Sequence, residues 1–184
     1  MKILILEGIW GNHTRWEKFR KRASSEIAEA AIWKYENSGN TPLSELAKKL
    51  ADHISSQTEE VALVGYSMGG IICREAARLL NDEQIAAAAF LHSPHQGSVF
   101  GKIFDSPATR ELAPGSELLA GLKPHKFPVM ATWCPFDLVV VPGNSASLPC
   151  ERNIRIDIPA HNAPVWAGII HREVTAFLRE KTKL

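Results

Sequence analysis

A serine between two glycines stands where an apolar run of the sequence gives way to a helical pattern. The run Val61-Ala62-Leu63-Val64 leads directly into Gly65-Tyr66-Ser67-Met68-Gly69. A turn from strand to helix of this kind strains its central residue, and glycine on either side avoids collisions of Cβ atoms with the neighbouring backbone. The serine then projects above the sheet edge, beside the unpaired N–H groups of a helix N-terminus. The motif therefore predicts a nucleophilic serine, Ser67, in preference to a turn that merely favours small residues.

The rest of the chain alternates short apolar runs with longer amphipathic ones. Strands are predicted at residues 2–6, 30–35, 61–64, 85–92, 127–133 and 154–158. Helices are predicted at residues 13–26, 41–54, 71–80 and 163–181. Thr41 is expected to cap the second helix, because Pro42 suits the first helical position. Strands that alternate with helices indicate a parallel sheet covered on both faces, which is a three-layer α/β fold.

Four segments, in order along the chain, share the pattern of a known family. They are Gly65-Tyr66-Ser67-Met68-Gly69-Gly70 with the helix to Arg74, Ser93-Pro94-His95-Gln96-Gly97-Ser98, residues 112–119, and Cys134-Pro135-Phe136-Asp137 with the apolar residues to Pro142. Together they resemble the α/β-hydrolase family, and more closely its small lipase and esterase members. The resemblance implies a minimal α/β-hydrolase fold: a mostly parallel sheet of about six strands flanked by helices, with no separate lid domain.

The acid that would orient a catalytic base is predicted to be Asp137. A serine becomes a good nucleophile only when a base takes its proton and a third group fixes that base. Asp137 directly follows a predicted strand, so its carboxylate is expected at the same edge of the sheet as Ser67. Two other acids are less suitable: Asp105 lies in a long connection, and Asp157 lies inside a predicted strand.

The base is predicted to be His161. The order along the chain in this motif is serine, acid, histidine, and of seven histidines only His161 and His171 follow Asp137. The resemblance places the base in the loop after the last strand, which selects His161 and leaves His171 a structural role. Two further histidines, His92 and His95, flank a Ser-Pro turn and are expected to brace that loop.

Two backbone N–H groups are needed to bind the oxyanion of a tetrahedral intermediate. One is expected from Met68, the residue after the nucleophile. The resemblance implies that the second comes from Ile9, in the loop after the first strand. Glu7 stands where a histidine is usual in the family. A backbone donor survives that exchange, but an extra carboxylate would disfavour negative charge nearby or shift the pH profile.

These residues indicate a serine hydrolase that cleaves carboxylic esters of small molecules through an acyl-enzyme on Ser67. The alternatives are a thioesterase or acyltransferase on the same site, or a non-catalytic binding protein with a hydrolase fold. Substrate-binding candidates are the apolar loop residues Trp10, Phe100 and Leu138, although core packing is the commoner reason for any single one. The connection from 93 to 126 has no strong lid pattern, which favours an esterase over an interfacial lipase.

Composition argues against several other classes of protein. With 21 Lys and Arg against 20 Asp and Glu, the net charge of +1 argues against nucleic acid as a partner. No apolar run approaches the roughly 20 residues that span a bilayer, and Glu7 ends the first run too early for a signal peptide. Three scattered cysteines suit a cytoplasmic protein and predict no metal site. We expect one domain over residues 1–184, without metal or cofactor.

Overall fold

A parallel sheet forms the centre of the structure, a computed structural model that describes residues 1–182 apart from the side chain of Asp82. Its six strands are β1 Lys2–Leu6, β2 Ala30–Ile32, β3 Val61–Tyr66, β4 Ile85–Leu91, β5 Val129–Trp133 and β6 Arg152–Arg155. All neighbouring strands pair in parallel in the order β2-β1-β3-β4-β5-β6. The sheet confirms the predicted fold class.

Helices cover both faces of this sheet. They are α1 Glu17–Glu26, α2 Leu43–Ser55, α3 Met68–Arg78, α4 Pro107–Glu111, α5 Glu117–Gly121, α6 Ala163–Trp166 and α7 Gly168–Lys181. Successive residues of β1 point to opposite faces of the sheet. Ile3 and Ile5 pack with α1 and α7 on one face, and Leu4 and Leu6 pack with α2 and α3 on the other. Every residue of β3 is buried, which explains its unbroken apolar run. Among the described residues, no helix is long and apolar enough to cross a membrane.

Several element boundaries differ from the predictions. The first helix begins with a 3-10 turn over His13–Trp16, and β2 ends at Ile32. The last strand starts two residues and ends three residues earlier than its apolar pattern suggests, because hydrogen bonding to β5 sets its register. The closing helix is interrupted at Ala167, whose backbone is extended.

The cap of α2 was predicted wrongly. The helix begins at Leu43, and Thr41 does not cap it. The carboxylate of Glu111, in α4, accepts hydrogen bonds from the backbone N–H groups of Leu43 and Ser44. A carboxylate at this end of a helix is favoured by the helix dipole. A residue remote in sequence therefore replaces the local cap.

The topology creates one crevice at the sheet edge. From β1 the chain moves outward to β2 and then returns to the other side of β1 to form β3. Ligands of open α/β sheets bind at such a switch point, outside the carboxyl ends of the strands. The loop after β1 and the turn after β3 both open into this crevice, so the fold brings Gly8–Asn12 next to Ser67.

Candidate active site

Ser67 occupies a strained turn between β3 and α3. Its φ of 52° and ψ of −123° are unusual for a residue with a side chain. A Cβ atom at Gly65 would lie 2.5 Å from the Cα atom of Gly70, and one at Gly69 would lie 2.5 Å from the carbonyl oxygen of Glu7. The close packing around the turn therefore requires the glycines that the sequence motif contains.

His161 bridges Ser67 and Asp137. Its Nε2 atom lies 2.9 Å from the Ser67 Oγ atom, and its Nδ1 atom lies 2.7 Å from the Asp137 Oδ2 atom. The three residues come from the loops that follow β3, β5 and β6. The fold thus brings together the serine, acid and histidine that the sequence selected from distant positions.

The Asp137 carboxylate is fixed on both of its oxygens. Oδ1 accepts the backbone N–H groups of Val139 at 2.8 Å and Val140 at 2.9 Å, and Oδ2 faces His161. Burial raises the pKa of Asp137, but the hydrogen bond and charge of His161 and the two N–H groups outweigh it, and the pKa is lowered. The ionised carboxylate holds the proton of His161 on Nδ1, which leaves Nε2 free to accept from Ser67.

His92 lies against the loop that carries His161. It is fully buried at the end of β4, and its Nδ1 atom lies 3.2 Å from the carbonyl oxygen of His161 and 3.6 Å from Asp137 Oδ2. Burial lowers the pKa of His92 to about 4, although the charge of Asp137 opposes this. The neutral ring donates to the His161 carbonyl oxygen, so His92 braces the loop that carries His161.

His92, Asp137 and His161 also form a group of potential metal ligands. Their ligand atoms lie within 4.8 Å of one another. The sequence offered no sign of this group, because its members are far apart in the chain. A metal ion bound here would have to displace the hydrogen bonds that join His161 to Asp137 and Ser67.

The loop after β1 approaches Ser67 closely. A Cβ atom at Gly8 would lie 2.9 Å from the Ser67 Cβ atom. The Asn37 side chain holds this loop by donating to the carbonyl oxygens of Gly8 and Gly11, each at 2.8 Å. The backbone N–H groups of Ile9 and Met68 donate to no acceptor within residues 1–182, so both are available to a ligand.

The carboxylate of Glu7 forms an ion pair with a neighbouring cation. Its buried carboxylate accepts the backbone N–H of Gly8 at 2.8 Å and pairs with Arg15, whose Nε and Nη2 atoms lie 3.1 and 3.0 Å away. The expected penalty of an extra negative charge beside the oxyanion is therefore offset by Arg15. Sequence reasoning missed this arginine, which was one of several in a basic helical segment.

Arg15→Met is expected to lower the free energy of unfolding by about 2–4 kcal/mol, because it leaves the fully buried Glu7 carboxylate without its cation. The double variant with Glu7→Gln should recover part of that loss. Urea denaturation at pH 7 measures both. Arg155→Met is the control, since Arg155 forms an exposed pair with Asp157 and should change stability little. Equal losses in the two arginine variants would contradict this account.

Two spaces that share several lining residues open beside Ser67. The larger has a volume of about 260 Å³ and is lined by Ile9, Trp10, Gly11, Arg15, Tyr66, Ser67, Phe100, Val139 and His161. The smaller is a recess of about 30 Å³ between Ser67, Pro94, Phe100, Leu112 and Val140. Trp10 and Phe100 line both spaces. Leu138 lines neither, because its side chain is 82% exposed, and its neighbour Val139 faces the site instead.

The thioesterase domain family matches residues 9–115, which is more than half of the 184-residue chain. The chain belongs to the thioesterase domain family. This family lies within the α/β-hydrolase superfamily, so the resemblance seen in the sequence is confirmed.

Solved structures of lipases are similar to this thioesterase-family fold. The mature lipase BlEst2 from Bacillus licheniformis superposes with a TM-score of 0.78 at 15% identity, over 96% of this chain and 91% of that protein. A monoacylglycerol lipase from Paleococcus ferrophilus gives 0.71 at 14% identity, over 98% and 94%. Phospholipase PlaB from Legionella pneumophila, in complex with thio-NAD, gives a TM-score of 0.60 at 13% identity over 72% of this chain. The match covers 37% of the length of PlaB. Identities this low establish a shared fold. No curated protein sequence matches significantly.

Four buried or partly buried histidines are expected to make the stability of this thioesterase-family protein depend on pH. Burial lowers the pKa of His92 and His125 to about 4, and it also lowers the pKa of His95 and His171. The ordinary pKa of histidine is about 6.5. Between pH 6.5 and 4 the unfolded chain therefore binds more protons than the folded one, so the free energy of unfolding falls as the pH falls.

From pH 7 to pH 4.5, His92 and His125 are each expected to cost about 2 kcal/mol of stability. Urea denaturation at pH 7, 5.5 and 4.5 tests this. His125→Gln retains a hydrogen-bond acceptor but does not titrate, so its stability should depend on pH less steeply. A free energy of unfolding that is constant over this range would contradict the assignment.

Proposed function

We propose that this protein is a serine hydrolase that cleaves carboxylic esters of small molecules through an acyl-enzyme on Ser67. The observation that carries the proposal is the position of His161, whose Nε2 and Nδ1 atoms lie within hydrogen-bond distance of Ser67 and Asp137. Such an arrangement activates a serine hydroxyl. The cavity beside Ser67 gives a substrate access to that hydroxyl.

In the first half of the reaction, the Ser67 Oγ atom attacks the carbonyl carbon of the ester and its proton passes to His161 Nε2. The carbonyl electron pair moves to oxygen, and the N–H groups of Ile9 and Met68 bind the resulting oxyanion. The intermediate then collapses, the bond to the alcohol breaks, and His161 returns the proton to the departing alkoxide. Asp137 stabilises the imidazolium while it exists.

In the second half, water replaces the alcohol. His161 takes a proton from the water, whose oxygen attacks the acyl-enzyme. The second tetrahedral intermediate collapses, the carboxylic acid leaves, and the proton returns to Ser67. No cofactor takes part in these steps.

The size of the recess supports short acyl groups as substrates. Its volume of about 30 Å³ is far smaller than the 260 Å³ of the open cavity, so it admits only a small group. An acetyl or propionyl group suits this space, while the open cavity of about 260 Å³ takes the alcohol. The apolar walls of the recess favour an unsubstituted alkyl chain.

Thioesters are the second candidate substrates, and the family match favours them. Ser67, His161 and Asp137 would play the same roles, because thioester cleavage differs from ester cleavage only in having sulfur in place of oxygen as the leaving atom. A thiolate leaves more readily than an alkoxide, so less depends on proton donation by His161.

The test compares p-nitrophenyl esters from acetate to palmitate, together with thioesters of the same acyl groups. We expect activity to peak at acetate or propionate. Leu112→Ala enlarges the recess and should move the optimum to longer chains, whereas Leu138→Ala, at the exposed position outside the recess, should not.

Three results would change the proposal. A preference for palmitate that rises sharply above the micelle threshold would indicate a lipase. Higher kcat/KM for thioesters than for matched esters would indicate a thioesterase. A folded protein that is inactive on the whole series would favour a binding protein with a hydrolase fold.

A further inference from the structure

A second, larger cavity lies away from Ser67. It has a volume of about 330 Å³ and opens between the C-terminal half of α3 and the segment that leads into β5. The polar residues that line it are Arg74, Arg78, Asn81, Lys123, His125 and Lys126. Arg74 follows Ser67 by seven residues on α3, which corresponds to about 10 Å of helix rise. The proposed catalytic reaction does not use this cavity.

Arg74 is a buried cation with only neutral acceptors. It is 7% exposed, and its Nε atom donates to His125 Nε2 at 3.0 Å. Its Nη1 atom lies 3.3 Å from His95 Nδ1, and its Nη2 atom lies 3.4 Å from the carbonyl oxygen of Lys123. No carboxylate among the described side chains forms an ion pair with it, and burial alone accounts for its lowered pKa of about 10.

The carboxylate next to Arg74 in sequence, that of Glu75, already forms an ion pair with another arginine. Glu75 faces Arg78, whose Nε and Nη2 atoms lie 2.8 and 2.6 Å from its two oxygens. This pairing neutralises Arg78 and leaves the charge of Arg74 uncompensated. Buried charges in proteins are normally paired, because an isolated charge is costly to remove from water. An anion bound in the cavity would supply the opposite charge that Arg74 lacks.

The two histidines hold Arg74 in place without adding charge. Burial lowers the pKa of both rings, so both are neutral at pH 7 and can accept hydrogen bonds from the guanidinium. Each ring also packs against Phe90, with ring centroids 5.4 Å apart. The guanidinium is thus preorganised at the cavity wall, and the exposed residue Lys123 lines the same cavity.

We propose that this cavity binds a phosphate group, either as inorganic phosphate or as the monoester of a small molecule, with Arg74 and Lys123 as its cationic ligands. Three of the five N–H donors of Arg74 face His125, His95 and the Lys123 carbonyl oxygen, so one N–H on each Nη atom remains for phosphate oxygens, and a lysine serves as the second point charge. The cavity volume is at the lower end of the range for small-ligand sites. The site is independent of the ester hydrolysis proposed above.

The experiment measures the melting temperature of the full chain against inorganic phosphate, with sodium chloride at matched ionic strength as the reference. Binding to the folded state should raise the melting temperature in a saturable way. Lys123→Gln lies at an exposed position and should fold normally, but its apparent affinity for phosphate should fall about tenfold or more, because it loses a charged hydrogen bond. Arg74→Met should abolish the response.

Lys21→Gln is the matched control, since it removes an exposed lysine from α1, on the opposite face of the sheet. Phosphate should stabilise this variant as it does the unmodified protein. The same titration with phenyl phosphate separates the two sources: tighter binding than inorganic phosphate supports a monoester, and equal binding supports the free anion. The proposal is overturned if phosphate has no effect, or if it stabilises Lys123→Gln and Lys21→Gln equally.

Discussion

Ser67→Ala is expected to lower kcat/KM for p-nitrophenyl acetate by about 10⁴-fold or more, because it removes the only nucleophile in the proposed mechanism. Alanine has the same Cβ atom as serine, so the strained turn keeps its packing and the variant should fold. A fluorophosphonate probe provides a second measurement, independent of turnover. Intact mass spectrometry should show one phosphonyl adduct on the unmodified protein and none on the variant.

Ser55→Ala is the control for this prediction. Ser55 lies exposed near the end of α2, away from the crevice, and its replacement should leave both activity and labelling unchanged. If Ser67→Ala retained most of its activity, another group would have to be the nucleophile. If it lost activity but still acquired the adduct, the probe would be reporting a different serine.

The sequence was sufficient to predict the order of the six strands and the four longer helices, but not the short helices α4 and α5 or the break that separates α6 from α7. A continuous apolar run predicts a strand buried on both faces, and β3 is buried at every residue. Short-range patterns could not define the ends of elements that depend on tertiary partners. Hydrogen bonds to β5 set the register of β6, and Glu111 caps α2 although it is 68 residues away from Leu43.

The main residues of the candidate site could be selected from the sequence for a topological reason. Ser67, Asp137 and His161 each follow a strand, and parallel strands present their carboxyl ends at one edge of a sheet. The supporting contacts were not predictable in this way. Asn37 is one of many polar loop residues, and nothing in its spacing indicates that it holds the loop after β1.

Sequence patterns also could not predict whether a loop side chain faces the cavity or the solvent. Leu138 and Val139 are adjacent apolar residues after Asp137, and neither lies in a regular element whose periodicity assigns a face. The hydrogen bonds from Val139 and Val140 to Asp137 fix the backbone so that Val139 faces the cavity and Leu138 faces solvent. The same bonds determine what an amide at position 137 would do.

Asp137→Asn is expected to lower kcat by about 10⁴-fold at neutral pH while leaving the fold intact. Two backbone N–H groups donate to Oδ1 of Asp137, so the oxygen of an asparagine must occupy that position and its NH₂ group must face His161. The Nδ1 atom of His161 then has to accept a hydrogen bond, which moves the ring proton to Nε2 and removes the base from Ser67. Nitrogen NMR shifts of the His161 ring should show this change of tautomer. Asp105→Asn is the control, because Asp105 is exposed and pairs with Arg110, away from His161. Activity of Asp137→Asn within tenfold of the unmodified protein would mean that Asp137 does not orient the base.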